Sequence, residues 1–263
     1  MRLTVLGKSP SWEDAGGACS GYLLEANGHS VVIDCGNGVF SKLRRFRDYT
    51  RVDAVLISHL HADHFLDLVP WAYALTYAPR QQPVPVDRWE GTPEPARPRL
   101  IAPGGAHEVF RRVTGAWGPE DLIESAFALE EYEESSEVAV GPLRFDFRSV
   151  PHFVTTFACR AREGDLGPNL VFGADSGPSD NLVEIARDTD LLLLESTIAE
   201  PDAEPRGHLT PAEAGDHAAQ AGAKRLVLTH LTDEADPEWA LREARRAYEG
   251  PLEVAVEGAV YEV

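Results

Sequence analysis

Cysteine is scarce in this chain, and so are long apolar runs and positive charge. The three cysteines, Cys19, Cys35 and Cys159, are odd in number and far apart. Their spacing is neither a metal clip nor a disulfide framework, so they read as small buried hydrophobes. No stretch approaches the roughly 18 apolar residues of a membrane span. The opening "MRLTVLG" enters a strand pattern at once, without the apolar core and small-residue cleavage site of a secretory signal. These absences predict a soluble, cytoplasmic protein with no membrane partner. Lys and Arg total 24 against 43 Asp and Glu, a formal net charge of −19. Such a surface repels a polyanion over most of its area, which disfavours extended nucleic-acid binding. Bound divalent metals would offset the charge near one cleft.

What is present is a chain of 263 residues, 43% hydrophobic, enough for a sizeable core. Strand-like segments open it at 3–7, 21–26 and 30–34, the last two joined by Asn27-Gly28, a strong hairpin signal. The apolar run 52–58 reads as a strand buried on both faces and delivers His59 at its end. Residues 79–103 hold seven prolines, which disfavours helix and predicts a long loop over the cleft before a strand at 99–103. A helix is expected over 105–118, and the acidic run 120–137 reads as a solvated face. In the second half, strands at 140–150, 169–175, 190–196 and 225–230 alternate with helices at 181–188, 210–223 and 237–250. Thr210, Pro211 and Glu213 sign the start of the second of these helices. A terminal hairpin is expected over 252–263, turning at Glu257-Gly258. Hairpins mixed with strand–helix units predict one α/β domain over 1–263, a sandwich of two mixed sheets with helices outside.

The densest chemistry lies in "SHLHADH" (58–64), with His59, His61, Asp63 and His64. His59 and His61 alternate in an extended segment and share a side, and a turn would swing Asp63 and His64 toward a neighbouring ion. Zinc takes imidazole and carboxylate ligands, and a catalytic site keeps a position open for water. One ion cannot use all four groups and stay open. Two ions a few ångström apart can, if other segments supply the rest. His152, Asp175 and His230 each sit where a predicted strand of the second half ends. The remaining histidines, His29, His107 and His217, read as surface residues. Trp71, Tyr73 and Tyr77 follow the cluster at near-helical spacing and read as core.

"HLHADH" resembles the HxHxDH signature of the metallo-β-lactamase-fold hydrolases, and His152, "FGADSGP" with Asp175 and "LVLTHL" with His230 resemble its later motifs in order. "IDCGNG" (33–38) is similar to the superfamily's early aspartate-glycine loop, which implies that Asp34 stands behind the ligands. The resemblance runs over essentially the whole chain. It implies an αβ/βα four-layer sandwich with a dinuclear site between the sheets. His59, His61 and His152 would hold one ion, Asp63, His64 and His230 the other, with Asp175 bridging. Zinc is the default ion; manganese and iron accept the same donors.

Within that superfamily, β-lactamases typically carry a cysteine in the second site and no histidine where His64 stands, so this chain looks unlike them. Glyoxalase-like and lactonase branches share HxHxDH, which keeps thioester and lactone hydrolysis open. "LLLLEST" (191–197) and "GHLTPAEAGDHAAQAGAKRLVLTH" (207–230) resemble the phosphodiesterase branch that contains ribonuclease Z. That likeness implies that an activated water attacks phosphorus and His208 protonates the departing oxygen. Glu195 would orient His208, and Asp63 would steer the water. Two departures count against tRNA 3′ processing: the interval between His152 and Asp175 has no room for the basic arm of ribonuclease Z, and the chain is acidic. Compact actinobacterial proteins of this fold look more similar, with "VLG…SGYLLE…IDCGNG" early and an "EGPLEVAVEG"-like end, and they imply cyclic-nucleotide phosphodiesterase activity. The expectation is a dinuclear hydrolase of small phosphodiesters. The alternatives are a tRNA 3′ endonuclease that docks its substrate without an arm, using a homodimer partner, a hydrolase of thioesters or lactones, and a metal-stabilised binding module. A merely structural site would be closed, which argues against the last.

Overall fold

The computed structural model of the chain describes residues 1–81 and 95–263. β1 (Arg2–Gly7) pairs antiparallel with β2 (Gly21–Ala26), and β2 with β3 (His29–Ile33). Asn27 at φ 47° and Gly28 at φ 86° make the β2–β3 turn, in the left-handed region that a tight hairpin of this hand requires. The sheet then continues in parallel through β4 (Ala54–Leu56), β5 (Arg99–Pro103) and β6 (Ala128–Tyr132). The second sheet begins antiparallel, with β7 (Val138–Val140), β8 (Leu143–Val150), β9 (Thr156–Glu163) and β10 (Asn169–Phe172). It continues in parallel through β11 (Leu191–Glu195), β12 (Leu226–Thr229) and β13 (Leu252–Val254). β14 (Val260–Glu262) returns to the first sheet beside β1.

The two sheets face each other across one apolar layer, in which Leu3, Leu24 and Val31 meet Phe145, Phe147 and Leu193. The outer face of the first sheet is covered by α1 (Val39–Phe46), the single turn α2 (Ala62–Phe65), α3 (Leu68–Gln81), α4 (Ala106–Gly115) and α5 (Leu122–Ala126). The second is covered by α6 (Asp180–Ile185), α7 (Pro211–Ala221) and α8 (Pro237–Ala244). The result is the expected four-layer αβ/βα sandwich. Strands covered on both faces, such as β11, are continuous apolar runs. β8 alternates, burying Leu143, Phe145 and Phe147 and exposing Arg144 and Asp146. At the start of α7 the Thr210 hydroxyl accepts the Glu213 amide, and the Glu213 carboxylate accepts the Thr210 amide, satisfying two otherwise orphaned donors. Among the described residues no helix is long and apolar enough to cross a membrane.

Five local expectations are corrected. α3 continues through Pro79 to Gln81, because a proline in a last turn forfeits only one hydrogen bond near the helix end. The rest of the proline-rich loop, residues 82–94, lies outside the described residues. The terminal segment does turn at Gly258, φ 83°, but it is not a hairpin. β13 pairs with β12 and β14 with β1, so the chain passes from one sheet to the other. The acidic run 120–137 is more than a solvated face: it holds α5 and β6 and buries Leu122, Ile123, Phe127 and Tyr132 while its carboxylates, the half-buried Glu124 apart, point outward. His217 is buried, where Nδ1–H donates to the Glu213 carbonyl at 2.8 Å and Nε2 accepts the Ser179 amide at 3.1 Å. Of the three aromatics after the cluster only Trp71 is core. Tyr73 and Tyr77 lie on the opposite face of α3, exposed and stacked on one another at 5.9 Å, since a step of two residues turns a helix by about 200°.

Candidate metal centre

The parallel strands of both sheets end along one edge of the sandwich, and chemistry concentrates there, as at strand carboxyl ends in other open sheets. Asp34 follows β3, His59 follows β4, His152 follows β8, Asp175 follows β10, Glu195 ends β11 and His230 follows β12. Between His61 and Leu66 the chain makes one helical turn, which carries Asp63 and His64 back over the strand end. That turn is seated on Gly36: a Cβ there would lie 1.8 Å from the Asp63 carbonyl oxygen, and the neighbouring Cys35 amide donates to the His64 carbonyl at 2.7 Å. Asp34 and His230 both take left-handed backbone, φ 57° and 58°.

All seven ligand candidates converge. His59 Nε2 and His152 Nε2 lie 3.2 and 3.0 Å from His61 Nδ1. Asp63 Oδ2 is 3.4 Å from His64 Nε2 and 3.5 Å from His230 Nε2. Asp175 stands between the groups, 3.5 Å from both His64 Nε2 and His230 Nε2 and 3.9–4.0 Å from His152 Nε2 and His59 Nε2. Bonds of about 2.0–2.1 Å at tetrahedral angles put ligand atoms about 3.3–3.4 Å apart, close to these separations. His64 Nε2 and His230 Nε2 are buried without a hydrogen-bond partner, a costly state for a protein polar atom and the expected one for a metal ligand. The donor set therefore fits two divalent cations.

The tautomers agree. A ligand nitrogen must carry a lone pair, so the other ring nitrogen carries the proton and needs an acceptor. His64 Nδ1–H donates to Asp34 Oδ2 at 2.7 Å, and His59 Nδ1–H to the Ser58 hydroxyl at 3.0 Å, which itself donates to Asp34 Oδ2 at 2.9 Å. Asp34 Oδ1 accepts the Ser58 amide at 2.7 Å. The fully buried Asp34 thus steadies one ligand of each group. His152 Nδ1–H donates to the Gly207 carbonyl at 2.8 Å. His230 Nδ1–H donates to the Thr197 hydroxyl at 2.7 Å, which donates to Glu195 Oε2 at 2.6 Å. Burial holds His59 well below the usual imidazole range and puts His152 at about 4, so both keep a free lone pair at neutral pH. Burial alone would raise the Asp63 carboxyl, but its closeness to His230 and His64 outweighs it and the group sits far below the usual range.

His208 lies at the edge of this set, with a ring nitrogen within 4.8 Å of candidate ligand atoms of His152 and Asp175, and likewise of Glu195 and His230. Its Nδ1–H donates to Glu195 Oε1 at 2.8 Å and lies 4.0 Å from Asp175 Oδ2. Its ring is 5.1 Å from that of His152 and stacks at 5.9 Å with that of His230. Its side chain is 19% exposed, where those of His59, His64, His152 and His230 are 0–2% exposed; His61 is also half-buried, so the centre opens at His208 and His61. Burial depresses His208, but the hydrogen bond and charge of Glu195, with Asp175 and Asp63, outweigh it and raise its pKa above the ordinary value. Glu195 is buried and also accepts the Ser176 amide at 2.9 Å. The structure brings together every residue singled out from the sequence: His59, His61, Asp63, His64, His152, Asp175, His230, His208, Glu195 and Asp34. Sequence reading passed over Ser58, Thr197 and the Gly207 carbonyl. A hydroxyl next to His59, and another two residues past Glu195, were visible signals; a backbone acceptor leaves none.

An edge-on site of histidines and aspartates between two such sheets defines a metal-dependent hydrolase of the metallo-β-lactamase fold. The chain belongs to the β-lactamase superfamily: the sequence profile of the beta-lactamase superfamily domain matches residues 29–231. It is 30% identical to the probable metallo-hydrolase YhfI of Bacillus subtilis, over the full length of both chains. The crystal structure of that protein superposes with a TM-score of 0.84 at 27% identity, covering 100% of this chain and 99% of that one. The ribonuclease Z of Myxococcus xanthus is 29% identical, covering 100% of this chain and 98% of its own length. Human short-form tRNase Z, at 20% identity and a TM-score of 0.73 over 100% and 99% of the two chains, shares the fold.

Proposed function

We propose that this chain is a dinuclear metal-dependent phosphodiesterase acting on small substrates such as cyclic nucleotides, with zinc as the resident ion. The observation that carries the reading is His208, an imidazole outside the ligand set, tethered to a buried carboxylate at the open side of the centre. Hydrolysis of a phosphodiester needs a proton at the departing alkoxide. His208 Nδ1 is committed to Glu195, which leaves Nε2 to carry that proton. Divalent ions at the ligand groups supply charge that offsets the developing negative charge on phosphorus oxygens and acidify water. Asp63 would steer the attacking water, and Glu195 holds the His208 ring in register. The nitrogen and oxygen donors suit zinc and also admit manganese or iron.

Ribonuclease Z relatives favour a second reading, cleavage of tRNA 3′ ends. Two observations weigh toward small substrates. The interval between His152 and Asp175 is taken up by β9, a turn and β10, with no protruding arm, and the net charge is −19. The deciding experiment is a panel on protein purified with metal present. It compares cyclic nucleotides with a tRNA precursor, and bis(p-nitrophenyl) phosphate with a thioester and a lactone. We expect about two ions per chain and turnover concentrated on small phosphodiesters. Activity confined to the thioester or lactone, or fewer than about one ion per chain, overturns the reading.

A further inference from the structure

Phe153 follows the ligand His152 and is 59% exposed, an unusual place for a large apolar ring beside a polar centre. Its ring lies 5.1 Å from that of His152 and 6.0 Å, edge-on, from that of His208. It is also built in. Gly207 lies directly beneath it: a Cβ at that position would fall 2.5 Å from Phe153 Cε2 and 2.7 Å from Cζ. A side chain there would have to push the exposed ring aside, and the same Gly207 carbonyl fixes His152. Phe153 therefore has one side supported by protein and another open to water, at the mouth where His208 is accessible. Val154 beside it is also exposed, so the lip is locally apolar.

Resting on the phosphodiesterase reading above, we propose that Phe153 is the residue that selects the organic part of the substrate, stacking against the planar base of a nucleoside on the leaving-oxygen side. The position follows from His208: the oxygen it protonates lies within reach of its ring, so the group attached to that oxygen is carried across Phe153. A flat aromatic base covers the ring's free face; a bare sugar leaves it in water. Base–aromatic stacking tolerates any base, so the site selects for a nucleobase as such and discriminates weakly among bases.

The test compares wild type with Phe153→Ala, Phe153→Leu and Phe153→Tyr, each checked for metal content and thermal melting. The substrates are a 3′,5′-cyclic nucleotide and the corresponding ribose cyclic phosphate without a base. Phe153→Ala is expected to lower kcat/KM for the nucleotide by roughly 5- to 150-fold, chiefly through KM. It should leave the base-free substrate within about twofold, with Tyr restoring the preference and Leu falling between. An equal loss on both substrates, or no loss on either, overturns the assignment. If wild type hydrolyses neither, the cyclic-nucleotide reading fails. Calorimetric binding of a nucleoside monophosphate and of ribose phosphate to metal-loaded wild type and Phe153→Ala then judges Phe153 separately. A nucleoside affinity that Phe153→Ala does not weaken, or the same weakening on ribose phosphate, overturns its role.

Discussion

Asp34→Asn exchanges one acceptor oxygen for a donor while keeping the size of the side chain. Asparagine tolerates left-handed backbone, so φ 57° at this position costs nothing new. The wild-type carboxylate accepts three hydrogen bonds, from the Ser58 amide, the Ser58 hydroxyl and His64 Nδ1. An amide whose oxygen faces the Ser58 N–H presents its NH2 to His64. Nδ1 must then hold the lone pair, and the proton moves to Nε2, the atom aimed at Asp63 and Asp175. The flipped amide instead faces its NH2 toward the Ser58 N–H and strands a buried donor, a cost of about 1–3 kcal/mol. In the first arrangement the group formed by Asp63, His64 and His230 loses a ligand; in the second it keeps the acceptor behind His64 only at that cost. Losing a partner behind a metal-bound histidine typically weakens metal affinity 10- to 100-fold, about 1.4–2.8 kcal/mol. Chelator-competition titration of the apo protein reads this directly, with far-UV circular dichroism as the control for folding. We expect one tight and one weakened ion. A variant that binds two ions with affinities within about threefold of wild type would refute the assignment of Asp34 as the acceptor that sets the His64 tautomer.

Gly36→Ala places a methyl group 1.8 Å from the Asp63 carbonyl oxygen, so the turn carrying Asp63 and His64 must shift. The expected outcome is loss of about one ion per chain by elemental analysis in a protein that still folds; full metal content would show that the turn yields without cost. His208→Ala should lower kcat about 10²- to 10⁴-fold, the span of general-acid catalysis, with metal content unchanged; lost metal would make His208 a ligand. The pH profile tests the same histidine through Glu195. Because its pKa is raised, His208 keeps its proton above the ordinary imidazole value, and activity should fall only as pH rises through that raised value. Glu195 is the first of the carboxylates that raise that pKa, through the hydrogen bond at 2.8 Å. Glu195→Gln should therefore move the alkaline limb to lower pH, and an unmoved limb would assign it to another group.

The candidate ligand set was legible because each metal-binding type in the second half stands at the end of an apolar strand. His152 after "FRSVP", Asp175 after "LVFGA" and His230 after "LVLT" are read from local pattern alone. His208 and Glu195 were legible only through resemblance, since nothing in "LLLLEST" or "GHLT" indicates that they meet at 2.8 Å. His217 was misread for a related reason: a histidine on an amphipathic helix looks like the residues of its polar face, and burial comes from α6 packing over it, with the Ser179 amide as its partner. The terminal hairpin failed because turn chemistry at Gly258 fixes a reversal but not which strand each arm finds.

Short-range chemistry, carried in the order of residues, determined that the chain forms apolar strands punctuated by ligands, that "HLHADH" is too dense for one open site, and that α7 starts at Thr210. Tertiary structure alone decided which candidate ligand atoms come within reach of one another. It decided that Asp34 serves both groups of ligands, that Thr197 and Gly207 fix two histidine tautomers, and that Phe153 lies on Gly207 at the mouth. Those facts depend on hydrogen bonds and contacts a few ångström long between residues tens of positions apart, and only the closing of two sheets against each other makes such pairs neighbours.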